Sequence, residues 1–162
     1  MIFVILGSQK FQFDRLLTAL DKQISDGKIK DTIFAQTGCS CYKPMHFEYN
    51  QFMDRDEFSR MQASADIIIT HGGTGAIVGA LKKGKKVIAV PRLSKYGEHV
   101  DDHQLQIIEE FVKSGFILEC QDCDTLWEAV EKVKVTFFEG YRSNTDKIIE
   151  SIEGFIENIG GK

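Results

Sequence analysis

The chain has 162 residues, of which 43% are hydrophobic and 27% charged, a balance that excludes intrinsic disorder and suffices for one buried core. Its formal net charge of -4 argues against nucleic acid as a partner, and no apolar run approaches the length needed to cross a bilayer. The pairs Cys39/Cys41 and Cys120/Cys123 lack the compact spacing of a structural zinc site, so reduced thiols are expected.

Residues 2–6 read as a strand without a basic leader, which predicts a cytoplasmic protein and not a signal peptide. Residues 13–24 follow as a helix, with Leu16, Leu17, Leu20 and Ile24 on one face. A second strand is predicted over 32–36, ending at Thr37-Gly38, and a short third over 45–49. Asp54 and Glu57 have capping-box spacing and open a helix to about residue 63. Residues 67–70 form a strand, 74–83 a helix, and 86–90 a strand closed by Pro91. A helix over 100–112 carries Leu105, Ile107, Ile108 and Phe111. A last strand over 116–119 and a helix from 125 to about 135 complete the alternation. In the tail, Ile148, Ile149, Ile152, Phe155, Ile156 and Ile159 recur at helical spacing over 144–159.

Solidly apolar strands alternating with helices imply a parallel sheet covered on both faces. The expectation is one Rossmann-like, doubly wound α/β domain over residues 1–162. In such sheets ligands bind beyond the carboxyl ends of the strands, where helix N-termini point. The loop after each strand therefore supplies candidates: Gly7-Ser8-Gln9, Thr37-Gly38, His71-Gly72-Gly73-Thr74-Gly75 and the stretch from Pro91-Arg92 to Glu98-His99.

The third of these loops is the most informative. Glycines without Cβ let backbone come close to a ligand, and the helix opening at Thr74 offers unpaired N–H groups to a phosphate or diphosphate. A plain βα turn would carry the same glycines. Glu98, Asp102, His103 and Gln104 could grip sugar hydroxyls, or the block could simply form a polar first helical turn with Asp101 or Asp102 as its cap. His71, His99 and His103 with Asp102 could hold a metal, although the H-E-x-x-H pattern is lacking. No G-x-G-x-x-G follows Gly7, and no nucleotide P-loop motif occurs. Lys82, Lys83, Lys85 and Lys86 around Gly84 either complement a helix C-terminus or meet an anionic surface.

Gly7-Ser8, Gln36-Thr37-Gly38, the block from Ile69 to Gly75, and Val90-Pro91-Arg92 through Asp101-Asp102-His103-Gln104 together resemble the donor-binding half of GT-B glycosyltransferases. The chain is similar to glycosyltransferase family 28 C-terminal domains and to PssE-type exopolysaccharide or capsule subunits. It also resembles the catalytic subunit of the eukaryotic two-subunit N-acetylglucosaminyltransferase acting on dolichyl diphosphate.

The resemblance implies a UDP-sugar donor, inversion at the anomeric centre, no cofactor and no tightly bound metal. It assigns the diphosphate to the amides of residues 72–76, including Gly72, Gly73, Gly75 and Ala76, assisted by Gly7, Ser8, Gln9 and Thr74. His71 would stand at the diphosphate or the reacting centre, and Glu98 would join it as a second catalytic group. Thr37, Gly38, Arg92, Asp102, His103 and Gln104 would border the sugar or nucleotide. Some relatives carry an acid for the ribose eight positions after the histidine; here that position is Gly79.

The resemblance covers only the donor half of a two-domain enzyme. It therefore implies a membrane-associated partner subunit that binds a lipid-diphosphate acceptor and keeps this chain at the inner face of the membrane. The tail helix over 144–159 is a candidate for docking that partner.

Overall fold

The structure is a computed structural model and describes residues 1–143. The expected tail helix over 144–159 lies outside the described residues. Six strands form one sheet: β1 (Ile2–Ile5), β2 (Ile33–Gln36), β3 (Glu48–Asn50), β4 (Ile67–Thr70), β5 (Lys86–Ala89) and β6 (Leu118–Glu119). Every neighbouring pair is parallel, in the order β3-β2-β1-β4-β5-β6. The helices are α1 (Asp14–Ser25), α2 (Arg55–Ser64), α3 (Thr74–Lys82), α4 (His103–Lys113) and α5 (Leu126–Val135). This is the doubly wound Rossmann-like architecture expected from the alternation.

Side-chain parity along the strands builds two cores. Ile2 and Val4 of β1, Ile67 and Ile69 of β4, and Ile88 of β5 face α1 and α5, against Leu16, Leu20, Leu126 and Val130. Phe3 and Ile5, Ile68, and Val87 and Ala89 face the other way, toward Ile77 and Ala80 of α3 and Ile108 of α4. A strand whose two faces are both buried must be apolar throughout, which is why β1 and β4 show no polar alternation.

Two elements begin three residues later than their patterns suggest. Helix α4 starts at His103 and not at residue 100, because residues before it are bound into a loop. In that loop the Asp102 carboxylate accepts from Ser94 N at 2.7 Å, and Gly97 takes a left-handed φ of 66° after a 3-10 turn over Ser94–Tyr96. Strand β3 is pushed to residues 48–50 because Asp21, buried on α1, draws the preceding segment onto itself. Its carboxylate accepts from Tyr42 Oη at 2.8 Å, Met45 N at 3.1 Å and His46 N at 2.8 Å. Burial alone would raise the Asp21 pKa, but these hydrogen bonds outweigh it and hold the group below its ordinary value.

Two of the cluster's lysines reach helix ends: Lys85 Nζ donates to Ala63 O at 2.5 Å on α2, and Lys86 Nζ donates to Val133 O at 2.9 Å on α5. Cations placed on the carbonyls near helix C-termini are favourable there.

Candidate functional site

The strand order reverses direction between β1 and β4, since β1 leads to α1 on one face and β4 leads to α3 on the other. A crevice opens at such a switch point. Here it is a cleft of about 470 Å³, walled by Gly7, Ser8 and Gln9 after β1 and by His71, Gly73, Thr74, Gly75 and Ala76 after β4. Ile5, Gln36, Phe58, Gln62 and Gly79 complete the wall. Two loops distant in sequence thus meet, as a site shared along one rim requires.

Helix α3 opens onto this cleft with Gly73 as its N-cap and no side-chain cap. Ala76 N and Ile77 N turn back to Gly73 O at 3.1 and 3.2 Å. The cleft therefore meets the positive end of the α3 dipole, the place where an anion is best held.

His71 stands between the two glycine loops. Its Nδ1 lies 3.4 Å from the Ile5 carbonyl oxygen and 3.4 Å from Thr70 Oγ1. A Cβ on Gly7 would come within 2.8 Å of His71 Cε1, and a Cβ on Gly73 would collide with His71 Nε2. Gly7 also holds a φ of 76°, a conformation that only glycine adopts freely. Both glycines are needed first by the imidazole, before any ligand arrives. Burial, and after it the charge of Arg92, pushes the His71 pKa down to about 4, so the ring is neutral near pH 7.

Arg92 is a buried cation behind this ring. Its Nη2 donates to Leu6 O at 2.7 Å and Phe11 O at 3.1 Å, and the guanidinium stacks 5.4 Å from the Phe13 ring centroid. Burial lowers its pKa to about 10, which still leaves it charged at neutral pH. Its field reaches His71, but its side chain is committed to the loop after β1.

Other expected site residues also prove to hold loops together. Gln104 Oε1 accepts from Gly72 N at 3.1 Å and from Arg92 N at 3.1 Å, tying the loop after β4 to the loop after β5. Gly72 is packed against Gln104 so closely that a Cβ there would stand 2.6 Å from Gln104 Cβ. Glu98, fully buried, accepts from Arg15 Nε at 2.9 Å, Arg15 Nη2 at 3.0 Å and Leu93 N at 3.0 Å. Its two oxygens are occupied within the fold and are not offered to the cleft as a free base.

Asp102 is bound to Ser94 N, and His103 Nδ1 lies 3.2 Å from Gln106 Oε1. Asp102 is the N-cap residue of α4 but its side chain makes no capping bond there; the Asp101 carboxylate accepts from His103 N at 3.0 Å. Thr37 N donates to Asn50 O, and Gly38, at a φ of 59°, lies against Gly7 with no room for a Cβ. Thr37, Gly38, Gly72, Arg92, Glu98, Asp102, His103 and Gln104 thus lie outside the cleft wall, whereas Gly7, Ser8, Gln9, His71, Gly73, Thr74, Gly75 and Ala76 line it.

His71, His99 and His103 do not converge: among the described residues, no three His, Cys, Asp or Glu side chains gather as a metal-ligand set. His99 stacks on Phe11 at 4.7 Å and its Nδ1 lies 3.1 Å from Asp101 Oδ1. The four cysteines are free thiols. No helix among the described residues is long and apolar enough to cross a membrane.

Gln36 adjoins a loop the sequence marks, whereas Phe58 and Gln62 escape a reading of loops alone. Phe58 and Gln62 sit mid-helix, where no motif marks them; only their one-turn spacing on α2 hints at a shared face.

Sheet order and crevice define a Rossmann-like domain with an anion-receptive switch point. The chain belongs to the glycosyltransferase family 28 C-terminal domain family, which it matches over residues 1–151. It is 26% identical over 117 residues to the UDP-N-acetylglucosamine transferase subunit ALG13 of Yarrowia lipolytica, covering 70% of this chain and 50% of that relative. Among solved structures it is similar to the glycosyltransferase SnogD from Streptomyces nogalater, with TM-score 0.60, 18% identity, and coverage of 82% of this chain and 34% of that one. It is also similar to the solution structure of ALG13, with TM-score 0.58, 16% identity and 93% of each chain covered. These structural likenesses concern the fold. The chain spans half or less of the length of the curated relatives it matches.

Proposed function

We propose that the chain is the donor-binding half of an inverting UDP-sugar transferase. It passes a hexose (galactose, glucose or N-acetylglucosamine) to a sugar carried on a lipid diphosphate, in exopolysaccharide or capsule synthesis. The observation that carries this reading is the uncapped N-terminus of α3 opening into the cleft beside His71. Among the three hexoses, N-acetylglucosamine gains support from the curated relatives, which are UDP-N-acetylglucosamine transferase subunits.

In this reading the diphosphate lies against the amides of α3, with Gly73, Thr74 and Gly75 nearest. The acceptor hydroxyl oxygen attacks the anomeric carbon as the bond to the β-phosphate oxygen breaks, and UDP leaves with the electron pair. Helix dipole and amides stabilise the departing charge, reinforced by the buried cation of Arg92. The neutral His71 ring can share a hydrogen bond at the phosphate without adding repulsion to Arg92. With Glu98 committed to Arg15, the base that takes the acceptor proton comes from a membrane-associated partner subunit carrying the acceptor site.

The same engagement of Glu98 favours a second reading, a UDP-sugar-binding regulatory subunit without turnover. Two measurements decide. Calorimetry should give UDP and UDP-N-acetylglucosamine binding that ADP does not match. Transfer to a lipid-diphosphate acceptor should then appear only with the cognate partner. Donor binding without transfer in the assembled pair selects the regulatory reading, and absence of any UDP binding removes both.

A further inference from the structure

Helix α2 contributes a side chain to the cleft that neither the glycine loops nor the fold accounts for. Gln62 is 3% exposed, lines the cleft, and its Nε2 has no hydrogen-bond partner. Opposite it stands Gly79, where a Cβ would be 3.5 Å from Gln62 Nε2. The missing side chain at Gly79 therefore leaves the amide of Gln62 facing open cleft and not a neighbour on α3. Buried donors are rarely left unpaired, and one that lines a cleft is a donor awaiting an acceptor from outside.

We propose that Gln62 recognises the ribose of the bound nucleotide by donating to one of its hydroxyl oxygens; this rests on the UDP-sugar reading above. Distance supports the assignment. Gly79 lies five residues beyond Thr74, about 7.5 Å along the helix axis at about 1.5 Å per residue. With a diphosphate at the first turn of α3, the next group of a nucleotide along that direction is its ribose. A glutamine suits the task, since its terminal torsion is soft and presents either the amide donor or the carbonyl acceptor. It also adds no negative charge near the diphosphate, unlike a carboxylate.

The test uses the full chain, unaltered and as Gln62→Met, which keeps side-chain volume and removes both polar atoms. Binding of UDP, 2′-deoxy-UDP, 3′-deoxy-UDP and inorganic pyrophosphate is measured by calorimetry, with thermal unfolding of the ligand-free proteins alongside. The unaltered chain should bind at least one deoxy analogue about tenfold more weakly than UDP, one hydrogen bond's worth. In Gln62→Met the preference should vanish, UDP should weaken to the level of that analogue, and pyrophosphate should bind as before. The ligand-free variant should unfold no earlier than the parent, because the lost amide had no partner. Retained preference in Gln62→Met, or a marked loss of ligand-free stability, overturns the assignment while leaving UDP binding in place. A parent chain that does not bind UDP removes the UDP reading and this assignment together.

Discussion

The imidazole of His71 fills the space that a side chain at Gly73 would need. A bulky residue at Gly73 would crowd a diphosphate at the start of α3, and the collision with His71 adds a cost to the fold itself. Gly73→Ala should lower thermal stability, and Gly73→Ala combined with His71→Ala should recover part of the loss. The coupling in such a cycle should reach about 1–3 kcal/mol, measured by denaturant unfolding of the four proteins. Strict additivity would place the ring elsewhere.

Gln104→Ala removes one carbonyl oxygen that serves two buried amides, Gly72 N and Arg92 N. Unsatisfied buried donors are costly, so the variant should lose about 2–4 kcal/mol in urea unfolding before any ligand is added. A variant with parental stability and altered sugar selectivity alone would return Gln104 to the role that its motif suggests.

Glu98 and Arg15 form a paired buried contact. Glu98→Ala leaves the part-buried Arg15 guanidinium with only Pro91 O and Cys123 Sγ and leaves the Leu93 amide unpaired, and should cost about 1–3 kcal/mol. Chemical denaturation checks the size. If Glu98→Gln instead keeps full stability and abolishes transfer in the assembled enzyme, the carboxylate is catalytic after all.

Stability should fall on acidification through His71. Its folded pKa is about 4 against an ordinary 6.5, so between these values the unfolded chain binds more protons than the folded one. The contribution is complete above pH 6.5 and disappears as pH drops toward 4, amounting to at most about 3 kcal/mol. Comparing urea midpoints of the parent and His71→Gln across pH 4–7 isolates it: the parent's slope should be the steeper.

Burial pushes the Cys120 thiol up to about 11 and Cys123 up to about 12, while Cys41 is exposed. Native iodoacetamide labelling followed by mass spectrometry should therefore modify Cys41 first and spare Cys120 and Cys123 until denaturant is added. Early labelling of Cys123 would contradict the packing around Arg15.

Much of the fold was legible because strand and helix periods are local. The run Ile67–Thr70 and the helix beginning at Thr74 needed only neighbouring residues to be recognised. The glycine loop was equally legible as part of a crevice, since its spacing follows directly on a buried strand. The Asp102-His103-Gln104 block was harder to read, because polar residues near a helix start look the same whether they face a sugar or a backbone amide. What decides between these is a partner far along the chain: Gly72 for Gln104, 32 residues away, and Arg15 for Glu98, 83 away. Gln62 carried no signature, because its meaning depends on what Gly79 lacks.

The position of β1 has a kinetic consequence. Of the six strands of this sheet, the one made earliest lies at its middle, with Ile2 beside Ile33 on one side and Ile67 on the other. A nascent chain must therefore keep this oily segment waiting until β4 has been synthesised, several seconds later at about 5–20 residues per second. Assembly is slow by topology, whatever its final stability. The ribosome-bound intermediate, with Phe3 and Ile5 still uncovered, is the form most in need of a chaperone.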